Sequence, residues 1–327
     1  MPQAKLLTVN AHQPDPAVIK EAADVLASGA LVALPTETVY GLGGNALSDK
    51  AVAAIFAAKG RPVFNPLIIH VSSAAQLRGL VDMDARADEL AEAFWPGPLT
   101  LILPRAANSP ISLLASAGLP SLAVRVPSHP VAQALLKKTG LPIAAPSANR
   151  SGHLSSTTPL HVMESLGESV GLILGAGKSP VGVESTIVDL TKSPAVMLRP
   201  GAITKEQIEV VIGPIEQSGG NTGSPNAPGQ LESHYAPNAK VRLGARGAEA
   251  DENLLLFGAE LGITGGKKRL NLSPTGDLNE AAANLFSMLH ELDMPDIRGI
   301  AVMTIPETGL GLAMNDRLRR AAAPRQA

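Results

Sequence analysis

The sequence predicts an α/β protein: one large domain with a twisted, mixed sheet and flanking helices, and a smaller α/β unit behind it. Three observations carry this. Short apolar runs such as LTLILP and SLAVR alternate with stretches of helical period. The chain has 327 residues, 45% hydrophobic and 17% charged, enough to bury a large core, and with 2% aromatics that core must be aliphatic. Finally, a run rich in Gly, Pro, Ser and Asn, residues 213–230, lacks periodicity and reads as a linker. The expected division is a first domain over 1–212, a linker over 213–238 and a second domain over 239–327.

Taken in order, DPAVIKEAADVLASGA opens with Asp15 as N-cap and Pro16 at the first helical position, and Gly29 stops it. ALVALP follows as a buried strand. SDKAVAAIFAAKG is a helix capped by Ser48 and ended by Gly60, PLIIHVS a strand and DARADELAEAFW a helix. LTLILP, SLAVRVP, LPIAAPS, GLILG, ESTIVDL and AVMLRP are further strands, and the helix TKEQIEVVIG closes the first domain. Beyond the linker, KVRLGA, NLLLFG and IRGIAVMTIP read as strands. LNEAAANLFSMLHELD is a helix between the last two, and GLAMNDRLRRAAA a final helix.

Bulk properties exclude several function classes. A net charge of −2 argues against broad attraction to nucleic acid or membrane. With no cysteine there are no disulfides, thiolate nucleophiles or Cys-based metal sites, and the seven histidines lack metal-ligand spacing. No stretch approaches the ~18 uninterrupted apolar residues of a membrane span. The N-terminus shows no signal-peptide pattern, so a cytoplasmic location is expected.

The chemistry-bearing residues gather at strand ends, where α/β proteins build binding sites. LPTETVYGLGGNA sets Thr36, Glu37, Thr38 and Tyr40 between an apolar strand and glycines 41–44, read as a flexible loop or one that lets a ligand approach. In KGRPVFNP, Lys59 and Arg61 either cap a helix C-terminus or grip phosphate. His70 in PLIIHV is either a core histidine or a functional one. Arg125 inside SLAVRVP must be paired or face a ligand. APSANRSG supplies Ser147, Asn149 and Ser151, VESTIVD supplies Glu184, Ser185 and Thr186, and MLRPG adds Arg199. GLILGAGKS is not a P-loop: Leu172 stands where glycine is required, and Pro180 follows where a helix should begin. No nucleophile elbow or Ser/His/Asp order is present, so the set favours catalysis by positioning and charge stabilisation of an anionic ligand.

Together, LPTETVYGLGGNA, KGRPVFNPLIIHV, FWPGPLTLIL, AVRVPSHP, APSANRSG, GVESTIVDL and LRPGAI resemble, in order and spacing, the successive signatures of the YrdC-like domain family. HYAPNAKV and GLGLAMNDRLRRAA resemble its longer, two-domain branch, the threonylcarbamoyl-AMP synthases. The resemblance implies a YrdC-like mixed sheet with a smaller Rossmann-like C-terminal domain. It also implies synthesis of L-threonylcarbamoyladenylate and pyrophosphate from L-threonine, bicarbonate or CO2, and ATP with Mg2+, for threonylcarbamoyladenosine modification of tRNA. A downstream tRNA threonylcarbamoyl transferase would be the partner, with weak tRNA contact conceivable. By the same resemblance, Thr38, His70, Arg125, the Ala145 backbone and Ser185 form the threonine pocket. Arg125 would meet the carboxylate and His70 the side-chain hydroxyl. Arg61, Asn65, Ser121, Ser147, Asn149, Ser155 and Arg199 would hold ATP, Lys59 and Arg61 serving catalysis, with Tyr235 of the His-Tyr-Ala-Pro segment lying over the nucleotide as a lid. The segment departs from the family in APGQLESHYAP, where Ala227 replaces a serine and Glu232 occupies a usually basic gap. The competing reading is a non-catalytic RNA- or nucleotide-binding relative, for which two tyrosines and one tryptophan offer little base stacking.

Overall fold

The computed structural model describes residues 4–218, 232–260 and 262–324. Ala227 and half of the expected linker lie outside them. The chain runs β1 (Lys5–Thr8), α1 (Pro16–Ala27), β2 (Val32–Leu34), β3 (Gly41–Asn45), α2 (Asp49–Lys59), β4 (Ile68–His70), α3 (Ala85–Phe94) and β5 (Leu99–Pro104). It continues through β6 (Ser121–Arg125), α4 (Pro130–Thr139), β7 (Ile143–Ala144), α5 (Pro159–Leu166), β8 (Leu172–Gly175), β9 (Thr186–Asp189), β10 (Val196–Arg199), α6 (Lys205–Ile212) and β11 (Glu216–Gln217). The C-terminal part holds β12 (Lys240–Arg242), β13 (Glu252–Leu256), β14 (Arg269–Asn271), α7 (Leu278–Leu292), β15 (Gly299–Val302) and α8 (Leu310–Ala322).

The caps explain why these helices start and stop where they do. Asp15 accepts from the Ala17 amide and Pro16 fills the first turn of α1. Ser48 caps α2, and Gly60 at φ 59° ends it in the left-handed region. Thr204 and Gln207 form a reciprocal capping box on α6.

β1–β11 form one mixed sheet in the order β1-β8-β2-β3-β7-β4-β6-β5-β9-β10-β11. Its pairs are of both senses: β4 runs parallel to β6, β7 antiparallel to β4, and β5 parallel to β9. β12–β15 make a second, all-parallel sheet in the order β12-β15-β13-β14. Aliphatic clusters fill both faces of the large sheet. A third cluster joins the two sheets' territories, packing Val39, Leu154 and Val183 with Tyr235, Phe286 and Met314. Among the described residues, no helix is long and apolar enough to cross a membrane.

The glycines 41–44 correct the expectation of a loop: they form β3, in the middle of the sheet. Close approach is the reason. A Cβ on Gly43 would lie 2.8 Å from Leu34 Cδ2 and 3.2 Å from the Val32 carbonyl, and one on Gly44 3.0 Å from Ile55 Cδ1. β1, α4, α5, β11 and β14 also go beyond the elements expected. For α4 the signals were present, with Pro130 at the first turn and Gly140 at φ 63° past the end. β11 and β14 are short strands at the sheet edges, too brief for periodicity to mark.

Candidate functional site

A cavity of about 40 Å³ opens among the ends of β2, β4, β6, β7 and β10, lined by Thr38, Arg61, His70, Arg125, Ser185 and Arg199, among others. Ala145, Ser147 and Tyr235 also reach it. On the scale where one water needs ~10–15 Å³, it has room for a few waters.

One side is built on the turn after β2. Thr36 Oγ1 donates to the Val39 carbonyl (2.6 Å) and lies 2.8 Å from Thr38 Oγ1. Its single proton is thus used, so the Thr38 hydroxyl donates to Thr36. Thr38 Oγ1 in turn accepts from Arg125 Nη1 at 2.9 Å. Arg125 also donates through Nη2 to Glu37 Oε1 at 2.6 Å and through Nε to the Gly97 carbonyl at 3.2 Å. Both partners of this ion pair are buried. Burial would raise the Glu37 carboxyl, but the Arg125 charge and hydrogen bond hold it below its ordinary value. Glu37 is the residue the sequence reading underused, and it answers the demand that Arg125 be paired. Tyr40 is structural: its hydroxyl donates to the Gly177 carbonyl (2.7 Å), and burial pushes it up to about 12.

His70 ends β4, beside Arg125 in the register. Burial, with the nearby Arg125 charge, lowers its pKa to about 3, so the ring is neutral. Nδ1 lies 3.2 Å from the Ile68 carbonyl, an acceptor only, so Nδ1 carries the proton and Nε2 is left as an acceptor. Ala145 already gives its amide to Ile68 (3.0 Å), so its carbonyl is what it can offer a ligand.

Cations dominate the other side. Arg61 is fixed by Asn65 Oδ1 (2.6 Å) and the Pro66 carbonyl (2.9 Å), and burial brings it down to about 10. Arg199 holds Ser185 through Nε to the carbonyl (3.0 Å) and Nη2 to Oγ (3.1 Å). Lys59 does not reach the cavity wall: its ammonium bonds the carbonyls of Ser147 (2.5 Å) and Asn149, bracing that loop, and burial lowers its pKa well below the usual lysine range. Asn149 bonds the Arg150 and His153 carbonyls. Ser155 hydrogen-bonds Glu184, which lines the cavity. Ser121 starts β6; the β4–β6 register sets it level with Pro66, on the Arg61 side but off the cavity lining.

The His234–Pro237 strap closes the cavity. His234 and Tyr235 are buried and meet edge to face at 4.1 Å. Tyr235 sits at φ 58°, a left-handed conformation that costs ~1–2 kcal/mol and must be imposed by its surroundings. Ala236 donates to the Gly152 carbonyl (2.8 Å) and His234 to the Arg320 carbonyl (3.3 Å), tying the strap to both units. Glu37 Oε2, Asn65 Nδ2, Asn149 Oδ1 and His234 Nδ1 are buried without hydrogen-bond partners. Buried polar atoms rarely stay unpaired. Of these, His234 lines the cavity itself, so a ligand bound there has a buried polar atom to meet.

Comparison with known proteins covers nearly the whole chain. The family model for Sua5, YciO and YrdC proteins, described as telomere recombination, matches residues 24–201. One described as threonylcarbamoyl-AMP synthase, C-terminal domain, matches 203–323. Curated threonylcarbamoyl-AMP synthases from Pyrococcus abyssi and Bacillus subtilis are 42% and 40% identical, each over 94% of this chain and 94% and 93% of their own lengths. The crystal structure of P. abyssi Sua5 complexed with L-threonine superposes with a TM-score of 0.90 at 38% identity, covering 97% of each chain.

Proposed function

We propose that this chain, which belongs to the Sua5/YciO/YrdC family and carries the threonylcarbamoyl-AMP synthase C-terminal domain, makes L-threonylcarbamoyladenylate from L-threonine, bicarbonate or CO2, and ATP. The observation that carries this reading is the cavity's two-sided chemistry: a neutral histidine and a paired arginine on one side, Arg61 and Arg199 on the other. The amine of threonine adds to CO2 and loses a proton, giving a carbamate. A carbamate oxygen then attacks the α-phosphorus of ATP, and the bond to pyrophosphate breaks. The substrate supplies the nucleophile, so the protein's part is to orient it and stabilise charge.

In this reading the Arg125 fork meets the threonine carboxylate, Thr38 and Ser185 flank it, and His70 Nε2 accepts a hydrogen bond from the side-chain hydroxyl. Arg61 and Arg199 face the phosphates, with Asn65, Ser147 and Ser155 around them. Lys59 and Asn149 shape the 147–149 loop, and Ser121 serves the Arg61 side. The division at 212 and 238 becomes a catalytic unit, a strap and a C-terminal unit. The strap, with Tyr235 at the cavity, would lift for entry and settle on the nucleotide afterwards, protecting the mixed anhydride from water. Among the described residues no group of three or more His, Asp or Glu is placed to hold a metal. Mg2+, brought with the nucleotide, would share the phosphate charge while keeping most of its waters. The product feeds a tRNA threonylcarbamoyl transferase in the cytoplasm.

The test is pyrophosphate release from ATP, with the adenylate identified by mass spectrometry. Release requiring both L-threonine and bicarbonate is expected. Bound ATP without release, or release indifferent to threonine, would overturn the assignment.

A further inference from the structure

Arg317 lies on α8, in the C-terminal unit, yet its guanidinium is 1% exposed and reaches into the wall of the cavity. Nε donates to Glu184 Oε2 at 2.9 Å, and Nη2 to the Glu184 carbonyl at 3.4 Å. Nη1 donates to the Pro200 carbonyl at 2.5 Å and contacts Asp316 Oδ2 at 3.2 Å and the Ala313 carbonyl at 3.4 Å. The group also lies 5.7 Å from the centre of the Tyr235 ring. One side chain thus grips the loop before β9, the loop after β10 and the strap. The Glu184 loop is itself pressed against the C-terminal unit: a Cβ on Gly182 would fall 2.3 Å from the Ala282 carbonyl of α7.

Glu184 is the acidic residue of the cavity lining, which also presents Arg61, Arg125 and Arg199, with Lys59 behind. Its charge acts on Lys59 and on Arg199. Both its oxygens are occupied, one by Ser155 and one by Arg317. Apolar residues would dock two units at least as well as a buried ion pair, whereas an ion pair imposes one geometry. We infer that Arg317 is a positioning residue: it holds and neutralises Glu184 so that this carboxylate does not compete with the phosphates of ATP for Arg61 and Arg199. The C-terminal unit is thereby part of the nucleotide site.

This rests on the synthase reading, and the experiment separates the two. The full-length wild type, R317M and the double variant E184Q/R317M are compared for the KM of ATP in pyrophosphate release, with L-threonine binding measured calorimetrically in the absence of ATP. In R317M the released carboxylate turns to the site's cations. The KM for ATP is expected to rise at least tenfold, with threonine affinity changed less than twofold. E184Q/R317M is expected to recover most of that loss, because the competing carboxylate is gone. A purely structural arginine predicts the opposite: a lower melting temperature with unchanged KM, or a double variant no better than R317M. Either overturns the proposal. If R317M does not fold, R317K and E184Q/R317K replace it, with a smaller rise in KM and the same recovery expected, and an unchanged KM again overturning it. Failure of the wild type to release pyrophosphate would strike the synthase reading itself, which this series does not touch.

Discussion

Replacing Glu37 by Gln tests the charge logic of the cavity. Glu37 and Arg125 form a buried pair at 2.6 Å. Removing one charge from such a pair costs ~3–5 kcal/mol, because the other is left uncompensated. Glutamine keeps an acceptor for the guanidinium, so the lower end, about 3 kcal/mol, applies. For a chain of this length, at roughly 2 °C per kcal/mol, the melting midpoint should fall by about 6 °C. The variant also leaves Arg125 with a net charge facing the cavity. L-Threonine, whose carboxylate restores the missing charge, should then raise the midpoint more in the variant than in the wild type. Acid titration gives an independent reading. The Glu37 carboxyl is held below 4.5 in the folded protein, so the unfolded chain takes up that proton first as pH falls. Its stabilisation is full above the unfolded value and is lost as pH drops through the folded one, a slope the Gln variant lacks. Differential scanning calorimetry with and without threonine, repeated between pH 7 and pH 3, reads all three effects. A midpoint within about 1 °C of wild type, with an equal threonine shift, would refute the claim that Glu37 sets the charge of Arg125.

Three further outcomes are expected. With His70 held neutral near 3, the KM for L-threonine should show no break around pH 6.5, where an ordinary histidine titrates, and His70→Leu should raise it about tenfold or more, the equivalent of ~1–3 kcal/mol, and narrow the preference for threonine over 2-aminobutyrate in steady-state assays. Tyr235→Ala should weaken ATP binding about tenfold and lower turnover, at the scale of ~1–3 kcal/mol for stacking on a base, and unchanged turnover with unchanged ATP affinity would remove the lid from the mechanism. Gly43→Ala should destabilise by ~1–3 kcal/mol in urea unfolding, since its Cβ meets Leu34, Ile143 and the Val32 carbonyl at 2.8–3.2 Å.

Much of this architecture is legible residue by residue, because capping chemistry and buried strands are local signals. Asp15–Pro16, Ser48 and Gly60 mark α1 and α2 at their true ends. Arg125 declares itself by breaking an apolar strand, since a buried charge needs a partner. What local patterning misses is decided by contact between distant segments. Gly41–Asn45 looks like a loop until Leu34 and Ile55 are seen to leave no space for side chains, at which point glycine becomes the condition for a central strand. Lys59 looks like a phosphate ligand, whereas its ammonium is spent on carbonyls nearly ninety residues away.

Arg317 is the extreme case. In GLAMNDRLRRAAA it stands near Arg319 and Arg320, and the density of arginines suggests a solvated helix end. Arg319 does lie on the surface, paired with Glu307 at 2.8 Å. Arg317, two positions earlier, points instead into the cavity wall, where the carboxylate that neutralises it sits 133 residues away in the chain. Helical spacing does separate the two: Arg317 falls on the buried stripe of Ala313, Met314, Leu318 and Ala321, and Arg319 does not. What the spacing leaves out is the partner, because Glu184 meets Arg317 only when α7 and α8 pack on the Glu184 loop. A site composed this way shares its electrostatics between two units, so destabilising their contact should change nucleotide affinity before it changes the threonine pocket, whose Thr38, His70 and Arg125 all belong to the large sheet's own strand ends.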